Sequence, residues 1–368
     1  MSALNNWLTG VRVLDLSQYL PGPLAALFLG DFGADVLKIE PPRGDEMRNL
    51  GPRDGESRPI FYEAVNAGKV VRRMDLKDPG ARSEFLGLVD AADVLLETFR
   101  PGVMARLELD YATLAVRNPR LVYCALSGYG IGSTLEQAAG HDANYLALAG
   151  VLERNGDATP MYFDPPVADT TGSLFAVIAI LGALRGRERT GRGALIDIAL
   201  ADVVQPLQAF QVADYGARRS SPSRNETYLN GGAAYYRIYA TSDARHVALG
   251  AIESKFWKSF CVTAGHPGWV ARQAEPLPQR DLTRDIAAFF STLTLDECVA
   301  RFAKADCCLA PVLSIGEALA SAHVRERGLV RRGTAGDLQA LFPARVDGAA
   351  PATRPRVCDH HAADQRID

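Results

Sequence analysis

From residue 11 to about residue 199, short apolar runs of β-forming character alternate with helix-length segments. This alternation most constrains the fold, because parallel strands need long crossovers and helices must then cover the sheet. "VRVLDLS" at 11–17 opens the series, and "LPGPLAALFLGDFGA" follows with a Pro-Gly-Pro break into a helical pattern. "DVLKIE" at 35–40, "KVVRRMDL", "ADVLLETF" at 92–99 and "RLVYCALSGYG" at 120–130 read as further strands, with helices at 79–90 and 110–118 between them. Two more helical segments are expected at 142–152 and 171–187, then a strand and helix in "GALIDIALADVVQPLQAFQVADYGA". The expected fold class is α/β with a mostly parallel sheet.

The texture changes at "RRSSPSRNETYLNGGAAYY", whose Ser, Asn, Gly and Arg content marks a linker or long functional loop. Beyond it "YYRIYATSDARHVALGAI" alternates like an antiparallel hairpin, helices run to about 304, and "CLAPVLSI" reads as a strand. The expected division is a large domain at 1–224, completed by 331–368, and a smaller α+β domain at 225–330.

Charge removes some function classes. Lys and Arg number 40 against 43 Asp and Glu, so no general field favours nucleic acid or an anionic membrane, and an anionic ligand needs a local cluster. The opening "MSALNNWLTG" has no signal-peptide pattern, and no stretch approaches about 18 uncharged apolar residues, so a cytoplasmic location is expected. The six cysteines, Cys124, Cys261, Cys298, Cys307, Cys308 and Cys358, show no CxxC or finger spacing and are expected to be reduced core thiols.

Three ionisable residues stand at expected helix starts. His141 lies beside Asp142 in "AAGHDANYLALAG", where either residue is an ordinary cap and His is also the side chain best suited to proton transfer. Asp169 in "PPVADTTGSLFAV" meets the same choice, with Thr170 and Thr171 as alternative caps. Gly172 and Ser173 after it leave expected room for a ligand at the helix N-H groups. Glu253 in "VALGAIESKFW" ends a strand and begins a helix, and such a carboxylate fixes an imidazole tautomer if it touches one. "SGYGIGS" at 127–133 follows a strand but misses the GxGxxG register, so no nicotinamide cofactor is inferred.

"GVRVLDLSQYLPGPLAALFLGDFGADVLKIEPPRGD", "DVLLETFRPGVMARLEL", "LVYCALSGYG", "GHDANY", "GRGALIDIALAD" and "GGAAYYRIYATSDARHVALGAIESKFW" together resemble the family III CoA-transferase superfamily, and within it the alpha-methylacyl-CoA racemase branch. The resemblance spans roughly 10–330, with the motifs in the family's order. It implies an intertwined homodimer of subunits with a Rossmann-like large domain, and an acyl-CoA thioester as substrate. It further implies that Lys38, Gly68, Lys69, Arg100 and Arg106 hold the nucleotide half of CoA, with Gly140, Asp142, Asn144 and Tyr145 also at the CoA site. His141 and Asp169 match the racemases' proton-transfer pair, and Glu253 matches the acid that supports the histidine. In the transferase branch the residue matching Asp169 is instead a nucleophile.

The implied racemase chemistry is self-consistent. A thioester acidifies the hydrogen on the adjacent carbon, and inversion there needs one base on each face with the enolate held between them. Backbone N-H groups at the Asp169 helix start and in "GHDANY" are expected to stabilise the enolate oxygen. No metal or separate cofactor is required, CoA being part of the substrate. "SGYGIGSTLEQAAGHD" and "NAGKVVRRMDL" depart from the family's usual wording on the CoA side.

Overall fold

The computed structural model describes residues 3–359. The chain forms two compact units. The first takes the chain up to Ala149, then Phe163–Leu207, then everything from Ser321; the second takes Gly150–Tyr162 and Gln208–Ala320. The smaller unit therefore begins before the expected residue 225, gains a short segment from 150–162, and ends ten residues before the expected 330.

In the first unit the strands are β1 (Arg12–Asp15), β2 (Asp35–Glu40), β3 (Val70–Arg73), β4 (Val94–Glu97), β5 (Val122–Ser127) and β6 (Ala194–Ala199). Every residue of β4 and β5 is buried, as suits central strands covered on both faces, whereas β6 alternates at the edge. The helices between them are α1 (Pro21–Asp31), α2 (Ile60–Asn66), α3 (Pro79–Asp90), α4 (Val103–Arg106), α5 (Tyr111–Arg117), α6 (Asp142–Leu148) and α7 (Val167–Thr190). Local chemistry explains several starts: α1 and α3 carry proline in the first turn, and the Asp78 and Asp110 side chains cap α3 and α5.

The second unit holds α8 (Ala209–Arg218), an antiparallel hairpin of β7 (Tyr236–Ala240) and β8 (His246–Gly250), helices α9 (Ser254–Ala264), α10 (Arg280–Phe290) and α11 (Leu295–Phe302), strand β9 (Leu309–Pro311) beside β8, and α12 (Ile315–Ala320). Trp257, Phe260, Trp269, Phe290 and Phe302 form its aromatic centre. The Trp257 indole donates to the Trp269 carbonyl at 3.1 Å, so its polar edge is satisfied where it is buried.

The tail returns to the first unit through α13 (Ala322–Arg327), the hairpin of β10 (Val330–Arg332) and β11 (Leu338–Ala340), and β12 (Cys358–Asp359), which pairs parallel with β3. The Arg354 guanidinium grips Asp31 with two hydrogen bonds of 2.7 and 2.6 Å, fixing the tail to the end of α1. The large sheet is then seven parallel strands in the order β12-β3-β2-β1-β4-β5-β6.

Two expectations need correction here. Helix α7 starts four residues before 171, and among the described residues it is the one helix long and apolar enough to cross a membrane by length and composition. Here it lies against α1, β5 and β6 and carries Asp169 in its first turn. All six cysteines are free, but Cys308 and Cys358 are exposed, so only four are core thiols.

Candidate active site

The chain builds β1, β2 and β3 outward on one side and then crosses to place β4 on the other side of β1. Ligands of open parallel sheets bind at such a reversal, outside the strand C-termini. A network of buried charges lies at this reversal. Asp15 ends β1 fully buried, and its carboxylate accepts from the Lys69 ammonium at 2.8 Å and from the Ser17 hydroxyl. Lys69 also donates to the Pro23 carbonyl at 2.8 Å and to Asn66 Oδ1 at 2.9 Å. Lys38, at 0% exposure, donates to the Ser17 carbonyl at 2.6 Å and pairs with Asp45 at 3.1 Å. Burial alone would raise the Asp15 carboxyl, but the Lys69 and Lys38 charges and the hydrogen bonds outweigh it and hold it at about 2.

This network changes the expected roles of two lysines. Lys38 and Lys69 were expected to hold the nucleotide, yet both ammonium groups are buried and engaged by protein oxygens, so neither meets a ligand in solvent. Gly68 adopts φ +82 between α2 and β3, the left-handed turn that directs Lys69 inward.

The loop after β1 rests on the same network. Asp45 accepts the Tyr19 N-H at 3.4 Å, and the Gln18 N-H donates to Thr98 Oγ1 at 2.9 Å, tying the end of β1 to the end of β4. Tyr19 holds φ +63, a conformation costly for an aromatic residue and one that nothing in the sequence signals. Its ring meets that of His141 edge-on, with centroids 6.3 Å apart. At the end of β4, Glu97 accepts the Phe99 N-H at 2.6 Å and braces the turn bearing Arg100; burial lifts this carboxyl to about 7. Arg100 and Arg106 are both exposed, and Arg100 donates to the Gln137 carbonyl at 3.2 Å.

His141 stands exposed at the N-cap of α6 with extended backbone. Asn144 Oδ1 accepts the His141 N-H at 3.0 Å, and the buried Tyr145 donates its hydroxyl to the Gly140 carbonyl at 2.6 Å. A Cβ on Gly140 would sit 2.7 Å from both the Tyr129 hydroxyl and the Tyr145 ring, so only glycine fits. Asn144 and Tyr145, expected at the CoA site, thus brace the turn that presents His141.

The capping expectation for Asp169, Thr170 or Thr171 is overturned, because Pro166 is the N-cap of α7 and has no side chain to cap it. The cap comes from α6: Asp142 Oδ1 accepts the N-H groups of Ala168 at 2.7 Å and Asp169 at 3.1 Å. Those two donors, and the Thr170 N-H bonded to the Pro166 carbonyl, are occupied, which corrects the expected oxyanion role of the Asp169 helix start. Gly172 and Ser173 leave no ligand space either. A Cβ on Gly172 would lie 2.4 Å from Leu200, and the buried Ser173 hydroxyl donates to the Pro21 carbonyl at 2.7 Å.

Asp142 joins the two candidates: it follows His141 in the chain and holds the backbone of Asp169. Burial first, and the Asp142 carboxylate second, push Asp169 up to about 6. Glu253 lies in the second unit, exposed at the N-cap of α9. The glycine-rich loop after β5 is no phosphate cradle, since the N-H groups of Gly130, Ile131 and Gly132 are taken by Ser127, Asp197 and Glu136.

A doubly wound parallel sheet with ionisable side chains, His141 and Asp169, at two helix starts joined through Asp142 is the architecture of a ligand-binding α/β enzyme. Its particular family follows from comparison with known proteins. CoA-transferase family III matches residues 8–360. The chain is 34% identical over 331 residues to alpha-methylacyl-CoA racemase of Homo sapiens, covering 87% of this chain and 81% of that protein. It is 31% identical over 337 residues to succinyl-CoA:mesaconate CoA-transferase of Haloarcula hispanica, covering 88% and 84%. A solved CAIB/BAIF family protein from Brucella suis superposes with a TM-score of 0.83 at 28% identity, covering 95% of each chain. The protein belongs to CoA-transferase family III.

Proposed function

We propose that the protein epimerises 2-methyl-branched acyl-CoA thioesters by two-base proton transfer through an enolate. The observation that carries this reading is the linkage of His141 to Asp169 through Asp142, with Asp169 raised to about 6. A carboxyl poised there populates both protonation states near neutral pH, as a group that is base for one enantiomer and acid for the other requires. His141 serves the opposite face. Exposed Arg100 and Arg106 hold the CoA phosphates. In the "GHDANY" segment the N-H groups of His141, Asn144 and Tyr145 are taken, so stabilising the enolate oxygen falls to those of Asp142 and Ala143.

The transferase reading keeps one specific support: relatives of both activities match over similar lengths, and Asp169 serves either chemistry. Acceptor dependence separates them. Either pure enantiomer of a 2-methylacyl-CoA should drift to the same epimer mixture with no second acid present. Turnover only after an acceptor acid is added, with CoA appearing on it, would overturn the racemase reading.

The subunit is further proposed to pair with a second copy. Leu174 and Ile178 lie exposed on α7, as do Phe210 and Tyr215 on α8, and such apolar side chains are ordinarily covered in an assembly.

A further inference from the structure

We propose that Asp142 is a positioning residue for Asp169, clamping the start of α7 and setting its negative charge against the Asp169 side chain. The expected substrate contact gives this carboxylate no such task. One oxygen, Oδ1, takes both the Ala168 and Asp169 N-H groups, and helix α7 has no cap of its own because Pro166 occupies that position. A carboxylate at a helix N-terminus is favourable for the helix. The same geometry places an anion beside the Asp169 side chain, where it opposes a second ionisation.

The groups around Asp169 leave this role to Asp142. From α6 come Asp142 and Tyr145, whose phenol is itself raised by burial and then by the Asp169 charge. Tyr129 and Arg100 act on Tyr145, the latter with opposite sign. His141, immediately before Asp142, stands exposed at the N-cap. Besides burial, Asp142 is the influence that raises Asp169. The kinetic half of the inference rests on the racemase reading; the electrostatic half does not.

Two uncharged replacements separate clamp from charge. In Asp142→Asn the side-chain oxygen still accepts both N-H groups, whereas Asp142→Ala loses clamp and charge together. The Asp169 carboxyl is titrated by ¹³C NMR in aspartate-labelled protein, its signal assigned by Asp169→Asn, alongside melting curves and kcat/KM against pH. Asp142→Asn should melt as the parent does and lower the Asp169 midpoint by about one pH unit. The acid limb of kcat/KM, for the enantiomer that Asp169 deprotonates, should move with it. Asp142→Ala should lower kcat about a hundredfold at every pH, the cost of a misplaced base.

An unmoved or raised midpoint in Asp142→Asn would overturn the proposal. If Asp142→Asn does not fold, Asp142→Ser, whose hydroxyl also accepts without charge, carries the same expected shift and the same overturning result. A lowered midpoint in a protein that epimerises nothing upholds the Asp142 role and sinks the racemase reading instead.

Discussion

The buried floor and the exposed mouth of the candidate site both carry basic residues, and put them to opposite ends. On the floor, Lys38 and Lys69 are buried and bonded to Ser17, Asp15, Asn66, Pro23 and Asp45. At the mouth, Arg100, Arg106 and His141 are exposed. A cation with buried protein partners is scaffold; one raised on a braced turn and left open to solvent can meet a ligand. The difference teaches that a basic residue in a family motif is assigned by its partners, not by its place in the motif.

The comparison can be broken first at the mouth. His141→Ala should cut epimerisation by about 10²–10⁴-fold, the contribution of a positioned acid/base group, with an unchanged melting temperature. A parallel loss of stability would make His141 part of the scaffold. At the floor the expected cost is reversed in kind. Asp15→Asn strands the buried Lys69 charge and should lower the unfolding free energy by about 3–5 kcal/mol in urea titrations. A neutral result would remove the distinction between the two regions.

Acid sharpens the same contrast. The Asp15 carboxyl is lowered in the folded state, so its contribution is fully present above its unfolded pKa near 3.8 and is lost as pH falls toward about 2. The urea midpoint of the parent should therefore fall more steeply over that window than that of Asp15→Asn. The smallest expected effect is at Arg100: replacement by Ala should weaken CoA binding about tenfold by calorimetry, the worth of one charge-assisted contact, without altering the melt.

How much was legible in the sequence follows from where each signal resides. The central strands of the large sheet read correctly because burial on both faces writes itself as local runs such as "VLLE" and "VYCALS", whereas β10, β11 and β12 in the tail went unread. The exposed arginines and the "GHD" turn are likewise local. The fate of Lys38 and Lys69 was hidden, since their partners come from the end of β1, the start of α1, α2 and the loop after β2. The start of α7 was misplaced for a related reason: its cap, Asp142, lies 26 residues from Ala168, and capping patterns are read only from near neighbours. Tyr19 left no trace because a left-handed aromatic residue has no sequence signature.

The two-base claim is tested most directly by proton exchange in deuterated water, enantiomer by enantiomer, with His141→Ala and Asp169→Ala. NMR would follow the hydrogen beside the thioester in each pure 2-methylacyl-CoA, with no acceptor acid present. Each variant should lose epimerisation yet still exchange deuterium into one enantiomer only, and the two variants should select opposite enantiomers. Exchange that is lost or kept for both enantiomers alike would contradict a base on each face.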